Sequence, residues 1–343
     1  MVAKTHKKKT RGWNKTRKSI PTLKKSYSPQ LNKYLLPETT LTNRIDFHSC
    51  NPGQIRVKKH GYKCMNLNTI AAKQQMLKLL NRKLVIRHIT APKQKLSNCW
   101  FNTMFMCFFI SDKGHKFTKI LRQIMITGKR LDGSTLDSQL IPIFLRLNVA
   151  IQSSFNNVSD RYYLLNDTNR IIASLAKYYP DEYRINTITK AGDYGNPLSA
   201  YDTMIRYLFG TTNNTHVKDI FEYDFKNILH NRMPIQHDII AVHLDQDIEY
   251  IEKPLELLDS RNRMWRLDSV IVSNEEHFIC FVTINQKEYG FDGGSYSKLQ
   301  RIRWKENINK NQNFNLDKGR KSVNGWSFNF TKGYQILLYY RIR

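Results

Sequence analysis

The sequence predicts an α+β domain in which a helical subdomain comes first, an antiparallel β subdomain follows, and a cleft lies between them. Three observations carry that prediction. Apolar residues at helical spacing fill the first half of the chain, and short β-branched and aromatic runs with polar breaks fill the second. A cysteine opens a long apolar run in the helical half, and a histidine opens an apolar strand in the β half. The chain has 343 residues, 41% of them hydrophobic, which is enough to bury a full core.

Residues 1–85 read as a basic N-terminal extension, flexible when free, and residues 86–343 as the folded domain. The first 30 residues hold ten Lys and Arg and no acid, so they repel one another and have little to bury. Trp13 and Tyr27 in that arm are suited to stacking on bases, and the basic run also reads as a nuclear-import signal. Over 66–85 the spacing predicts a helix with Ile70, Met76, Leu77, Leu79 and Leu80 on one face. Within the domain, helices are predicted over 100–110, 117–127, 135–153, 167–177 and 197–209. Strands are predicted over 238–245, 266–273, 277–284, 288–291 and 334–340. The polar, basic stretch 301–321 reads as a surface loop between the last two strands.

Composition narrows the function classes. No run of about 18 apolar residues exists, so no membrane-crossing helix is expected. The basic start lacks the apolar segment of a secretory signal. The five cysteines, Cys50, Cys64, Cys99, Cys107 and Cys280, are scattered, odd in number and free of any CxxC pair. That spacing argues against a disulfide framework and against a zinc site. It suits a reducing intracellular compartment, cytoplasm or nucleus. No cofactor or metal is expected. The net charge of +27 implies an acidic partner: nucleic acid, an anionic membrane or an acidic protein surface.

The chemistry concentrates in three segments. Cys99 stands at the start of the apolar run, where the positive end of a helix favours a thiolate. His277 follows a polar turn and begins a strand. Asp292 follows the short aromatic strand ending at Phe291, and a hairpin would bring it back beside His277. Thiol, imidazole and carboxylate in that order form a nucleophile, a proton carrier and an orienting group. Gln94 and the Cys99 backbone N–H are the candidate oxyanion donors. Cys107 and Cys280 read as plain buried residues. Glu275 and Glu276 beside His277 are expected to raise its pKa.

These residues resemble the cysteine and histidine boxes of the ubiquitin-specific protease family of papain-like cysteine peptidases. Gln94, Cys99, Trp100, Phe101, Asn102 and Thr103 match the first box. Residues 267–272, the turn 273–276 and His277 to Val282 match the second, and Tyr289, Gly290, Phe291 and Asp292 match the segment after it. Residues 200–204 and 333–339 are similar to a family helix and to its last strand. The chain departs from the pattern at Gln94, where the family has Asn, and at Lys95 to Asn98, where it has a Gly-rich run. It also lacks the paired cysteines of a zinc-bearing subdomain.

The resemblance implies a papain-like fold and hydrolysis of a peptide or isopeptide bond after a flexible tail, that of ubiquitin or a ubiquitin-like protein. It assigns Cys99 as nucleophile, His277 as general base and acid, Asp292 as its orienting group and Gln94 to the oxyanion hole. Asp193, Asp202, Asp245 and Asp247 are candidates to meet arginines of such a tail. The Lys-, Asn- and Ile-rich composition with basic ends is similar to that of proteins from large DNA viruses. That likeness admits two further readings. One is a virion or nucleic-acid-associated structural protein of minor-capsid type on a protease scaffold. The other is a viral maturation protease.

Overall fold

The computed structural model describes residues 31, 35–36, 50–51, 53–58, 62–82, 89–155, 167–184, 192–211, 216–231, 234–245, 251–274, 277–295, 299–316 and 327–342. The basic arm 1–30, Glu275, Glu276 and Asp247 lie outside them.

A hairpin of β1 (Gln54–Lys58) and β2 (Tyr62–Asn66) comes first, followed by helix α1 (Ile70–Leu80). Thr69 caps α1 by accepting the Ala72 amide, so the helix starts four residues later than expected. Ile55, Val57, Ala72, Met76 and Leu79 are buried in one cluster with Ile126, Leu145 and Val149. Residues 54–58 and 62–80, expected to belong to a flexible extension, are therefore packed on the helical layer. The alternation of Ile55 and Val57 with polar residues is the strand signal that the basic composition masked. A second correction concerns the thiols. Cys50 and Cys64 form a disulfide with Cα atoms 5.4 Å apart. Folding of the hairpin brings together two cysteines whose spacing matches no short motif. Cys99, Cys107 and Cys280 remain free and buried.

The helical layer holds α2 (Cys99–Met104), which continues as a π-helical stretch over Phe105–Ile110, then α3 (Asp112–Phe117), α4 (Lys119–Thr127), α5 (Ile141–Ser154), α6 (Thr168–Tyr178) and α7 (Pro197–Phe209). Every residue from Cys99 to Ile110 is buried. A helix that is apolar on all sides belongs at the centre of a domain, and this one lies between α7 and the sheet. Phe108 stacks on Tyr201 of α7 with ring centroids 3.4 Å apart.

The chain then forms β3 (Val217–Phe221), α8 (Glu222–Asn231), β4 (Ile239–Leu244), β5 (Glu256–Leu258), β6 (Met264–Ser273), β7 (Phe278–Ile284), β8 (Lys287–Phe291), β9 (Gln300–Arg301), α9 (Trp304–Asn307), β10 (Asn313–Phe314), β11 (Phe328–Asn329) and β12 (Gln335–Arg341). One sheet runs in the order β3-β4-β12-β6-β7-β8-β9, with β5 beside β6. Only the β3–β4 pair among these is parallel. Both faces of the sheet are covered. Cys280, Val282 and Ile284 of β7 face the helical core, whereas Ile279 and Phe281 enter a second cluster with Trp265, Trp304 and Phe330. Double burial explains why the central strands read as unbroken apolar runs.

Residues 301–316, the described part of the stretch 301–321, are not a plain surface loop. Trp304, Ile308, Phe314 and Leu316 are buried there, and Trp304 Nε1 donates to the Val282 carbonyl at 3.3 Å. Sparse apolar residues in a polar background hid this anchor. The β7–β8 turn is tight, with Asn285 and Gln286 at φ of +50° and +60°. Such angles suit a two-residue hairpin but strain a side chain like that of Gln286. The Asp112 carboxylate accepts both turn amides, at 2.7 and 2.9 Å, and holds them there.

Candidate active site

Cys99 is the first residue of α2 and is 3% exposed. The residue before it, Asn98, does not cap the helix with its side chain. Its amide instead donates to Thr168 Oγ1 at 2.7 Å, and that hydroxyl donates to Asn102 Oδ1 at 2.8 Å. Thr168 opens α6, so a buried polar chain clamps the residues on both sides of the cysteine to a second helix. Trp100 adds another tether, donating its indole N–H to the Asp193 carbonyl at 3.1 Å. Gly195 lies flat against that indole, where a Cβ would sit 2.7 Å from the ring. Trp100, Asn102 and Cys99 came from the sequence. Thr168 and Gly195 did not, because nothing in their neighbourhood signals contacts so distant along the chain.

His277 precedes β7, and its amide donates to Asn274 Oδ1 at 3.0 Å. Its Nε2 is 2.7 Å from Asp292 Oδ1. The pairing of Cys280 with Phe291 in the β7–β8 hairpin brings Asp292 alongside the start of β7. Asp292 Oδ1 also accepts the Gly294 amide at 2.8 Å. With Nε2 directed at the carboxylate, Nδ1 is the ring nitrogen left for the Cys99 thiol, which lies near enough to bias the imidazole towards its protonated form. Burial by itself pushes the His277 pKa down. The hydrogen bond and negative charge of Asp292, with a further contribution from the nearby Cys99, outweigh burial, and the net pKa is raised above 6.5.

Gln94 meets the acid's turn. Its backbone amide donates to the Gly293 carbonyl at 2.9 Å. A methyl group on Gly293 would lie 3.2 Å from Asn102 Nδ2 and 3.3 Å from Gln94 Cβ. Gln94, Asn102 and the 292–294 turn therefore converge. The structure thus brings Cys99, His277, Asp292 and Gln94 to one locality, with two pieces of the fold supplying two residues each. Among the described residues no group of His, Cys, Asp or Glu converges as a metal site.

A cleft of about 700 Å³ is lined by none of these four residues but reaches chain neighbours of residues that hold them. Asn196, one residue past Gly195, and Tyr334 both line it. The Tyr334 carbonyl accepts the Ser273 amide at 2.8 Å, four residues before His277. Gly333 permits that approach, since its φ is +77° and a Cβ there would press on the Ser273 carbonyl oxygen. The Tyr334 hydroxyl lies 2.6 Å from His243 Nδ1. Asp202, Asp219, Glu222 and Asp245 line the cleft with Arg184 and Arg206, so acids outnumber bases there within a strongly basic protein. Asp202 is paired with Arg206 of the same wall at 2.7 Å. Although Asp219 is exposed on its strand, partial loss of water in the cleft wall, then the charge of Asp202, pushes its pKa up to about 6. Two of the acids named from sequence, Asp202 and Asp245, line the cleft. Asp193 instead uses its carbonyl to hold Trp100.

No family model matches the chain. No curated protein matches it either. Among solved structures, the chain is similar to the SAGA Ubp8/Sgf11/Sus1/Sgf73 DUB module bound to ubiquitin aldehyde, at 9% identity and a TM-score of 0.48, over 74% of this chain and 69% of that one. It is also similar to the same module with a Cys-to-Ala Ubp8 bound to monoubiquitin, at 11% identity and a TM-score of 0.45, over the same shares of the two chains.

Proposed function

We propose that this protein is a thiol hydrolase of peptide or isopeptide bonds, with catalysis in residues 86–343. The observation that carries the reading is the buried His277 side chain, held by Asp292 at 2.7 Å through Nε2 and influenced by the nearby Cys99 thiol. Cys99 Sγ attacks the substrate carbonyl carbon while its proton passes to His277 Nδ1. The oxyanion takes hydrogen bonds from the Cys99 N–H and the Gln94 carboxamide. Collapse expels the amine, which leaves with the proton from His277. A water molecule, deprotonated by His277, then cleaves the thioester and restores the thiol. Asp292 keeps the imidazole oriented throughout.

The substrate we assign is ubiquitin or a ubiquitin-like protein. The match of the cysteine and histidine boxes to the ubiquitin-specific proteases supports it. The acidic cleft beside the site suits the arginines of a flexible basic tail.

The test is labelling by ubiquitin bearing a C-terminal electrophile. An adduct with the parent protein that is lost in Cys99→Ala supports both chemistry and substrate. Absence of the adduct, with Cys99 alkylated rapidly near neutral pH, supports the thiol chemistry and rejects ubiquitin. Absence of both rejects the enzyme.

A further inference from the structure

We propose that the strands β1 and β2 and helix α1, over residues 54–58 and 62–82, form a nucleic-acid-binding surface, separate from the thiol site. Charge is segregated along this chain. Residues 1–111 carry 23 of its 55 Lys and Arg but two of its 28 Asp and Glu. No acid occurs between Asp46 and Asp112. The rest of the chain is close to balanced by comparison.

Part of that positive charge rests on a rigid support. Ile55, Val57, Ala72 and Met76 are packed against Ile126 and Leu145 of the helical layer, and Cys64 is tied to Cys50. Lys63 and Lys78 are exposed on this support, and Arg56, Lys73 and Arg82 are half-buried. Asn66, Asn68 and Gln74 are exposed among them. Lysine and arginine supply the phosphate attraction, and interspersed carboxamides supply hydrogen bonds to phosphate, sugar and base edges.

The same surface fits other polyanions poorly. A membrane-binding helix presents an apolar face to lipid, but the apolar face of α1 is buried against the body and only Ile70 stands out, at 76% exposure. Protein interfaces centre on aromatic anchors. The exposed aromatic side chains among the described residues, Tyr194, Phe221 and Tyr223, lie elsewhere, the last two on the acidic cleft.

The experiment is fluorescence anisotropy of the full-length protein with a short labelled DNA duplex, titrated between about 50 and 200 mM salt. The variant Lys63→Gln/Lys73→Gln/Lys78→Gln is compared with Lys287→Gln/Arg301→Gln/Lys332→Gln, which removes the same charge from exposed positions of the β half. The first is expected to bind at least tenfold more weakly, with a log–log salt slope shallower by about 2 to 3, whereas the second stays within about twofold of the parent. Cys99→Ala is expected to bind the duplex as the parent does, so failure of the hydrolase reading leaves this test intact. Unchanged thermal melting of both triple variants establishes that binding, not folding, was altered. Equal loss in both triple variants, or no loss in the first, overturns the proposal. So does a loss by the first variant confined to polyglutamate or to anionic phosphatidylserine vesicles.

Discussion

His277 Nε2 and Asp292 Oδ1 lie 2.7 Å apart across the mouth of one hairpin, the histidine side chain 1% exposed and the aspartate 16%. A charge-assisted hydrogen bond in so dry a position fixes both the direction of the ring and its preference for the proton.

Replacing Asp292 by Asn removes the charge but keeps a hydrogen-bonding group of the same shape. We expect kcat for a thiol-reactive substrate to fall by about 10²–10⁴. The stability cost should depend on pH. The His277 pKa is raised in the fold, so its contribution is fully present below the unfolded value of 6.5 and is lost as pH rises through the folded value. Thermal melting of parent and Asp292→Asn should therefore differ most in mild acid and converge on the alkaline side.

Thr168→Val keeps the shape of the side chain and deletes the hydroxyl that joins Asn98 to Asn102. Two buried amides then lose a partner, at a cost of about 1–3 kcal/mol read by urea unfolding. The rate of Cys99 alkylation should fall with it, and Thr168→Ser should restore both.

The acidic cleft should release a basic ligand in acid. Asp219 titrates at about 6, so affinity for an arginine-containing tail peptide should be highest above that pH and drop as pH falls through it. Asp219→Asn should flatten the profile and leave binding weak throughout, as measured by calorimetry.

Reducing Cys50–Cys64 opens a loop between residues 14 apart. A stability loss of about 3 kcal/mol is expected for a loop of that length. Hydrogen exchange should locate the loosening in residues 54–80 before it reaches the sheet.

The helical half was legible because α2, α4, α6 and α7 carry long apolar patterns whose buried faces are decided locally. The central strands were legible because both faces are buried, so β6, β7 and β12 carry apolar residues on both faces, broken by few polar ones such as Arg266 and Asp268. Cys99, His277 and Asp292 could be chosen because each begins or ends such an element. The hairpin of residues 54–66 was missed because its two inward side chains, Ile55 and Val57, are outnumbered by polar neighbours. Residues 217–231 were missed because β3 is a short edge strand whose neighbour β4 is parallel and whose middle positions are exposed. The chain Asn98–Thr168–Asn102 was not readable at all, since each of these residue types is commoner in caps and turns than in a buried network.

The turn at Asn285 and Gln286 carries a consequence for how this protein can vary. Side chains on a strand alternate faces, so one residue added or removed there would slide β8 by a single position against β7 and turn Asp292 away from His277. Length is thus more tightly constrained at this exposed corner than side-chain identity is, and the Asp112 clamp fixes the count. An insertion that a surface loop would ordinarily absorb would here disconnect the acid from the base while leaving both residues in the sequence.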